Sequence, residues 1–255
     1  MIEHILKRLR IGLTVLVAAM GATPALAGKT TIAVAANFTA AAKDIAQAFE
    51  IKTGHKAVLA FGSTGRLFAQ IVHGAPFDVF LAADQARPEK AEADGFAVPG
   101  SRFTYATGKI VLYSQSPEVV DDAGDVLTKP ETIVKIAIAN PKTAPYGAAA
   151  VETMQKLGVY DMLKAKFVIG DNIAQTHQFV VTENATLGFV AYSQVIHADQ
   201  GSSWVVPEDL YAPIRQDVVL LKNGENSEAA QAFLAFLKSA DARTIIESSG
   251  YGTGN

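Results

Sequence analysis

Residues 61–71, FGSTGRLFAQI, set two hydroxyls, Ser63 and Thr64, between two glycines, Gly62 and Gly65. An apolar strand-like run, KAVLA, leads in, and a helix-like run, LFAQI, leads out. Glycine lets a backbone approach a ligand closely, and a hydroxyl is a neutral donor. Three more corners share this build: ANFT (36–39), TAPYG (143–147) and GDNI (170–173). Three of the four carry no acidic residue. They offer Asn37, Thr39, Ser63, Thr64 and Tyr146, together with the backbone N–H groups of helix starts. Those N–H groups lack internal acceptors and sit at the positive end of the helix dipole. The set suits a small anion. Any one corner alone reads as ordinary capping by Asn, Ser or Thr; four, two in each half of the chain, point to a shared ligand.

The donor types narrow the anion. Phosphate keeps a proton near neutral pH and needs an accepting carboxylate. A fully deprotonated tetrahedral dianion needs donors only, and a buried carboxylate would repel it. Five to seven hydrogen bonds at about 1.5–3 kcal/mol each exceed the roughly 8–12 kcal/mol of micromolar to nanomolar binding, leaving a surplus for desolvation and closure. A sulfate or phosphate receptor and a receptor for a small organic anion are the alternatives within binding proteins. A secreted hydrolase using Ser63 is the alternative outside them, but GSTG lacks the GxSxG elbow and no acid–His pairing carries a motif. The expectation is a binding protein and not an enzyme, with no cofactor.

The first 27 residues have a basic lead (KRLR), an apolar run (IGLTVLVAAM) and a small-residue end (ALA), the pattern of a signal peptide cleaved after Ala27. The run is shorter than the roughly 20 residues of a membrane span. No cysteine is present, which excludes thiol chemistry, a Cys-ligated metal and a lipid-anchored lipoprotein. Removing Lys7, Arg8, Arg10 and Glu3 moves the formal charge of −3 to about −5, which speaks against nucleic acid. An anion must then be held by local donors, not by the overall field. No second apolar stretch is long enough to span a bilayer, so the product should be soluble and periplasmic.

These corners need strands and helices to hold them. Buried-strand runs at 30–36, 55–61 and 77–83 alternate with helical patterns at 39–54, 64–74 and 86–95. Such alternation gives a mainly parallel sheet covered on both faces. A second half repeats the alternation, with strands at 108–115, 133–141, 166–170 and 187–195, one long helix or two joined near Gly158 at 146–163, and a helix at 172–184. Helices close the chain at 226–250, with Ser227 as N-cap and Gly250 as C-cap. Extended segments at 104–110 and 212–219 read as two crossings between the halves. The expected fold is α/β in two lobes, lobe I being 28–106 plus 216–255 and lobe II 107–215.

The strings AVAANFTAAAKDIAQAF, FGSTGRLFAQI, GAPFDVFLAADQARPEKAEADG, IAIANPKTAPYGAAAVETMQKLG and LGFVAYSQV together resemble the periplasmic molybdate-binding proteins, the solute receptors of molybdate ABC importers. The likeness runs in order over most of the chain after the leader, with GAPFDVFLAADQ its most specific piece. It implies a two-lobed class II periplasmic binding protein, a monomer, that takes molybdate or tungstate and meets a permease with its ATPase. Mo or W would enter only as the oxyanion. It aligns ligand positions with Asn37, with Ser63 or Thr64, and with backbone donors at Tyr146 and Ile173. Thr39 and Tyr192 are secondary candidates. Where many members carry Tyr in the LGxVY string this chain has Ala191, with Tyr192 one place late, so Tyr146 is the expected tyrosine.

Arg66 and Lys142 read as solvated at a cleft rim, Asp171 as a helix cap, and Asp78 and Asp84 as strand-end turns and caps. The histidines fit no metal spacing, and Trp204, Phe233 and Phe236 read as core.

Overall fold

The computed structural model describes residues 27–253. The leader reading therefore falls outside the described residues, apart from Ala27. Ten strands and eight α-helices form two five-stranded sheets among the described residues. The first sheet runs β2 (Lys56–Gly62), β1 (Lys29–Ala35), β3 (Val79–Leu81), β10 (Ile214–Leu220), β4 (Phe103–Gly108). The second runs β7 (Phe167–Gly170), β6 (Ile136–Ala139), β8 (Leu187–Ala191), β5 (Ile110–Ser114), β9 (Ser202–Val205). In each, three neighbouring strands are parallel and the remaining pairings are antiparallel. Consecutive parallel strands need crossover helices, and these cover the faces.

One face of the first sheet packs on α1 (Thr39–Thr53), α7 (Glu228–Leu237) and α8 (Ala240–Ser248), through Ile45, Phe49, Phe233 and Ile246. The stripe Ala42, Ile45, Phe49 expected from the 3.6 period is the buried face of α1. The opposite face meets α2 (Thr64–Val72) and α3 (Ala86–Ala93) through Leu67, Ile71 and Ala91. The second sheet is covered by α4 (Pro145–Lys156) on one side and α6 (Ile173–Val181) on the other. The helical pattern at 146–163 breaks at Gly158, φ +71°, and resumes as the short α5 (Tyr160–Leu163). Trp204, Phe233 and Phe236 are buried. Among the described residues no helix is long and apolar enough to cross a membrane.

The chain leaves the first sheet through β4, enters the second at β5 after Lys109 alone, and returns through β10. β4 and β10 pair antiparallel, with a bulge between Gln216 and Asp217. A bulge places one extra residue against the partner strand and re-aims the side chains beside it. Here Gln216 and Asp217 are both buried. Asp217 accepts from Arg102 at 2.7 Å and from the Thr104 hydroxyl at 2.6 Å, and the Asp217 carboxylate, with a smaller effect from Glu92, raises the Arg102 guanidinium further.

Every corner named above lies at the carboxyl end of a parallel strand, where open α/β sheets place ligands. α4 reaches the end of β6 so closely that a Cβ on Gly147 would run into the Ala139 carbonyl. Gly147→Ala should therefore lower stability by about 1–3 kcal/mol, since backbone cannot yield as a side chain can. Urea denaturation measures this, and an unchanged midpoint would contradict the contact.

Candidate functional site

Four chain turns meet at one small cavity. Asn37 lies in a 3-10 turn, Ala36–Phe38, after β1. Ser63 and Thr64 open α2 after β2. Tyr146 opens α4 after β6, and Asn172 and Ile173 open α6 after β7. No charged side chain lines the cavity. Its free volume is about 10 Å³, at the lower limit for one water, so the space suits a compact ion and not a sugar or peptide.

Ser63 is the decisive residue. It occupies the N-cap position of α2, yet its hydroxyl makes no capping bond. Its Oγ is buried and has no partner among the described residues. A buried hydroxyl left so costs about 1–3 kcal/mol. Thr64 differs: its Oγ1 accepts from the Ala83 N–H at 3.0 Å, which anchors the corner to the end of β3. Capping does account for Asn172, whose Oδ1 accepts from the N–H groups of Ala174 at 2.9 Å and Gln175 at 3.0 Å. Its next neighbour's N–H, that of Ile173, finds no acceptor among the described residues, and neither does the Tyr146 N–H. Both stand in a first turn, where intrahelical acceptors do not exist.

The Asn37 side chain turns into a buried network behind the cavity. Its Nδ2 donates to Gln216 Oε1 at 2.8 Å and to the Tyr251 hydroxyl at 3.1 Å. Tyr251 donates to the Asn37 carbonyl at 2.7 Å. Gln216 Nε2 donates to the Tyr146 hydroxyl at 3.2 Å. Sequence reasoning missed Gln216, Tyr251 and Tyr105, the last lying 3.2 Å from Gln216 Oε1. A signal existed: Arg215, Gln216 and Asp217 place three polar residues in succession at the start of a strand, IRQDVVLL, whose remainder is apolar.

Two candidates lie elsewhere. Thr39 donates its hydroxyl to the Ala36 carbonyl at 2.8 Å and does not line the cavity. Tyr192 starts a 3-10 turn, and its ring packs with the apolar cluster of Val111 and Val180, outside the cavity. Asp171 is not a cap, because Asn172 takes that place. Instead it accepts two bonds from Arg66 across the cleft mouth, at 2.7 and 2.8 Å. Arg66 does sit at the rim, but paired. Gly65 touches the opposite wall as well, donating its N–H to the Thr143 carbonyl at 2.8 Å, and a Cβ there would come within 3.0 Å of Thr143 Cα. The two walls thus stand nearly closed on the cavity. The bland readings of the remaining acids match their contacts: Asp78 accepts from the Thr31 N–H and Asp84 from the Arg87 N–H. Among the described residues no cluster of His, Asp and Glu could hold a metal ion.

The family described as bacterial extracellular solute-binding protein matches residues 30–252. The chain belongs to this family. It is 56% identical to the molybdate-binding protein ModA of Rhodobacter capsulatus, over 96% of this chain and 97% of the relative. It is 54% identical to the molybdate-binding protein ModA of Azotobacter vinelandii, over 93% of this chain and 96% of the relative. The solved Azotobacter vinelandii periplasmic molybdate-binding protein superposes with a TM-score of 0.86 at 40% identity, covering 89% of this chain and all of that one. The fold is therefore that of a two-lobed periplasmic binding protein. These relatives are named for what they bind, and none for a reaction.

Within this family member, the Arg66–Asp171 pair is half exposed, 54% on each side. Exposed pairs contribute about 0.2–1 kcal/mol and are screened by salt. Arg66→Ala should weaken ligand binding by less than about fivefold, and the deficit should vanish at high salt; calorimetric titration at two ionic strengths reads both. Burial also governs the tyrosines behind the cavity. It pushes Tyr105 and Tyr146 well above the usual phenol value, and Tyr251 up to about 12. The neutral form of Tyr251 stabilises the fold fully below about pH 10, where unfolded tyrosine ionises, and that stability is lost as pH rises through about 12; Tyr105 and Tyr146 act in the same direction. An alkaline titration should show a late tyrosinate step that coincides with loss of circular dichroism. Ionisation of every tyrosine with the dichroism intact would contradict this burial.

Proposed function

We propose that the chain is a periplasmic receptor that binds molybdate in the cleft between its lobes and delivers it to an ABC importer. Tungstate, of like shape and charge, is a second ligand. The observation that carries this reading is the Ser63 hydroxyl, buried and without a partner, in a cavity that holds no carboxylate. A dianion with no proton to give finds only donors there: the hydroxyls of Ser63 and Tyr146 and the backbone N–H groups of Asn37, Tyr146 and Ile173. Thr64 orders the corner and supplies its backbone. The naming of the closely identical relatives as molybdate-binding proteins supports the same ligand.

The moving bodies in this reading are 28–106 with 216–255, and 107–215, joined through β4 and β10. Open and closed forms exchange, and the anion selects the closed one because donors from both bodies reach it only there. Residues 1–27 act as the export signal. The binding partners are the oxyanion, a permease and its ATPase, and the receptor works as a monomer without cofactor. Sulfate is the second reading, since a donor-only cavity accepts it too and only size separates the two ions.

Ser63→Ala should weaken molybdate binding by about tenfold or more, the loss of one hydrogen bond to a charged ligand, and Asn37→Ala should weaken it comparably by removing the side-chain bonds that hold the network behind the cavity. Calorimetric titration measures it, and unchanged affinity in both variants would reject the site. A thermal-shift series with molybdate, tungstate, sulfate and phosphate tests the ligand. The largest stabilisation by sulfate would replace this reading with the second.

A further inference from the structure

Gln216 stands at the β10 bulge with no exposed surface. One side-chain amide there touches a residue of each wall: Asn37 after β1 and Tyr146 after β6. The hydrogen positions in this network follow from a single obligate acceptor. The Asn37 carbonyl cannot donate, so the 2.7 Å contact from Tyr251 uses the phenol's hydrogen. The Tyr251 oxygen is then an acceptor toward the Asn37 side chain, and the Asn37 atom facing it at 3.1 Å is the amino group. The same amino group faces Gln216 at 2.8 Å, so the Gln216 atom there is Oε1. Its other atom, Nε2, faces the Tyr146 hydroxyl at 3.2 Å and must donate to it.

A phenol is both donor and acceptor, and nothing in its own chemistry decides which end a ligand meets. An amide N–H placed on the phenol oxygen decides it. The lone pair is taken, and the hydrogen is left to point elsewhere. Both Asn37 side-chain hydrogens are spent in the network, so this residue meets the cavity through its backbone N–H. We propose that Gln216 is a positioning residue that fixes the direction of the site's hydrogen bonds, turning the Tyr146 hydroxyl hydrogen toward the oxyanion and tying the two walls through one amide. This rests on reading the cavity as an oxyanion site. Were the Gln216 amide reversed, Tyr146 would donate to Oε1 and present a lone pair to a doubly charged anion. Gln216 also ties this to closure, because Tyr146 and Asn37 belong to opposite walls and meet its amide together only when the walls are close.

A double-mutant cycle tests this. Molybdate affinity is measured by calorimetric titration for the full-length mature protein, Gln216→Met, Tyr146→Phe and the double variant, and melting of each is followed without ligand. Gln216→Met and Tyr146→Phe should each weaken binding by about tenfold. The double variant should bind about as weakly as Tyr146→Phe alone, because no hydroxyl remains to be oriented. A residue that merely holds the strand would add its full loss in the Tyr146→Phe background, and that additive result would overturn the proposal. So would wild-type affinity in Gln216→Met.

Gln216→Glu gives a second reading, independent of whether the Met variant folds. A carboxylate there accepts the Tyr146 hydrogen, while the protonated acid can donate again. Affinity should drop by about a hundredfold at pH 8.5 and recover as pH falls toward 6, the range in which buried carboxyls titrate. The wild-type profile should stay flat over that range. A Glu variant with no pH dependence relative to wild type would also overturn the proposal. Failure of the wild-type protein itself to bind molybdate would instead reject the ligand assignment on which it stands.

Discussion

Donors that are buried and left unmatched are the constraint on which this structure turns. A folded chain ordinarily satisfies almost every buried polar group. Here the Ser63 hydroxyl has no partner among the described residues, and Tyr146 and Ile173, whose first-turn N–H groups likewise find no acceptor there, line the same small cavity. Each is an unfavourable feature for a chain that only had to fold. Concentrated in one place, with no carboxylate among them, they become favourable once an anion supplies the missing acceptors. The gain is large because the site is dry: a hydrogen bond to an ion is stronger where water cannot compete.

Holding such groups in place takes a rigid surround. Parallel strands deliver each corner at the same end of a sheet, and a helix start fixes the backbone direction there. Thr64 ties its corner to β3, and Asn172 caps α6, so the hydroxyl and amide beside the donors are spent on structure. Behind the cavity, Asn37, Gln216 and three tyrosines form a buried hydrogen-bonded network. Outside it, the Arg66–Asp171 pair closes the mouth while remaining half exposed. Charge is thus kept at the rim, where water screens it, and excluded from the centre, where it would dominate.

Two crossings of the chain join the two sheets. β4 of the first sheet passes into the second through Lys109 alone, and β10 returns to the first after the connection 206–213. Their bulge sets Gln216 against Asn37 and Tyr146, and Asp217 against Arg102. A part-buried ion pair and a neutral amide network therefore lie one residue apart on β10. The Gly65 N–H meeting the Thr143 carbonyl shows how close the walls come, and only glycine leaves that space without displacing backbone.

Much of this was written locally. Period and capping gave the stripe of α1, the Ser227 cap and the break at Gly158, because these depend on neighbours three or four residues away. The glycine-flanked hydroxyls and the absence of acids at three corners are likewise local features, and the corners do meet at one cavity. What the sequence could not settle was which polar group faces inward. Asp171 and Asn172 are equally good caps by type, and only the path of the chain gave the cap to Asn172 and sent Asp171 to Arg66, 105 residues away. Ser63 and Thr64 are adjacent hydroxyls, and only the approach of Ala83 spent one of them and left the other free. Thr39 and Tyr192 carry the right chemistry on segments that point the wrong way. Residue type and short-range spacing fix what a side chain can donate; where it donates depends on contacts between segments far apart in the chain, and those exist only once both sheets have formed.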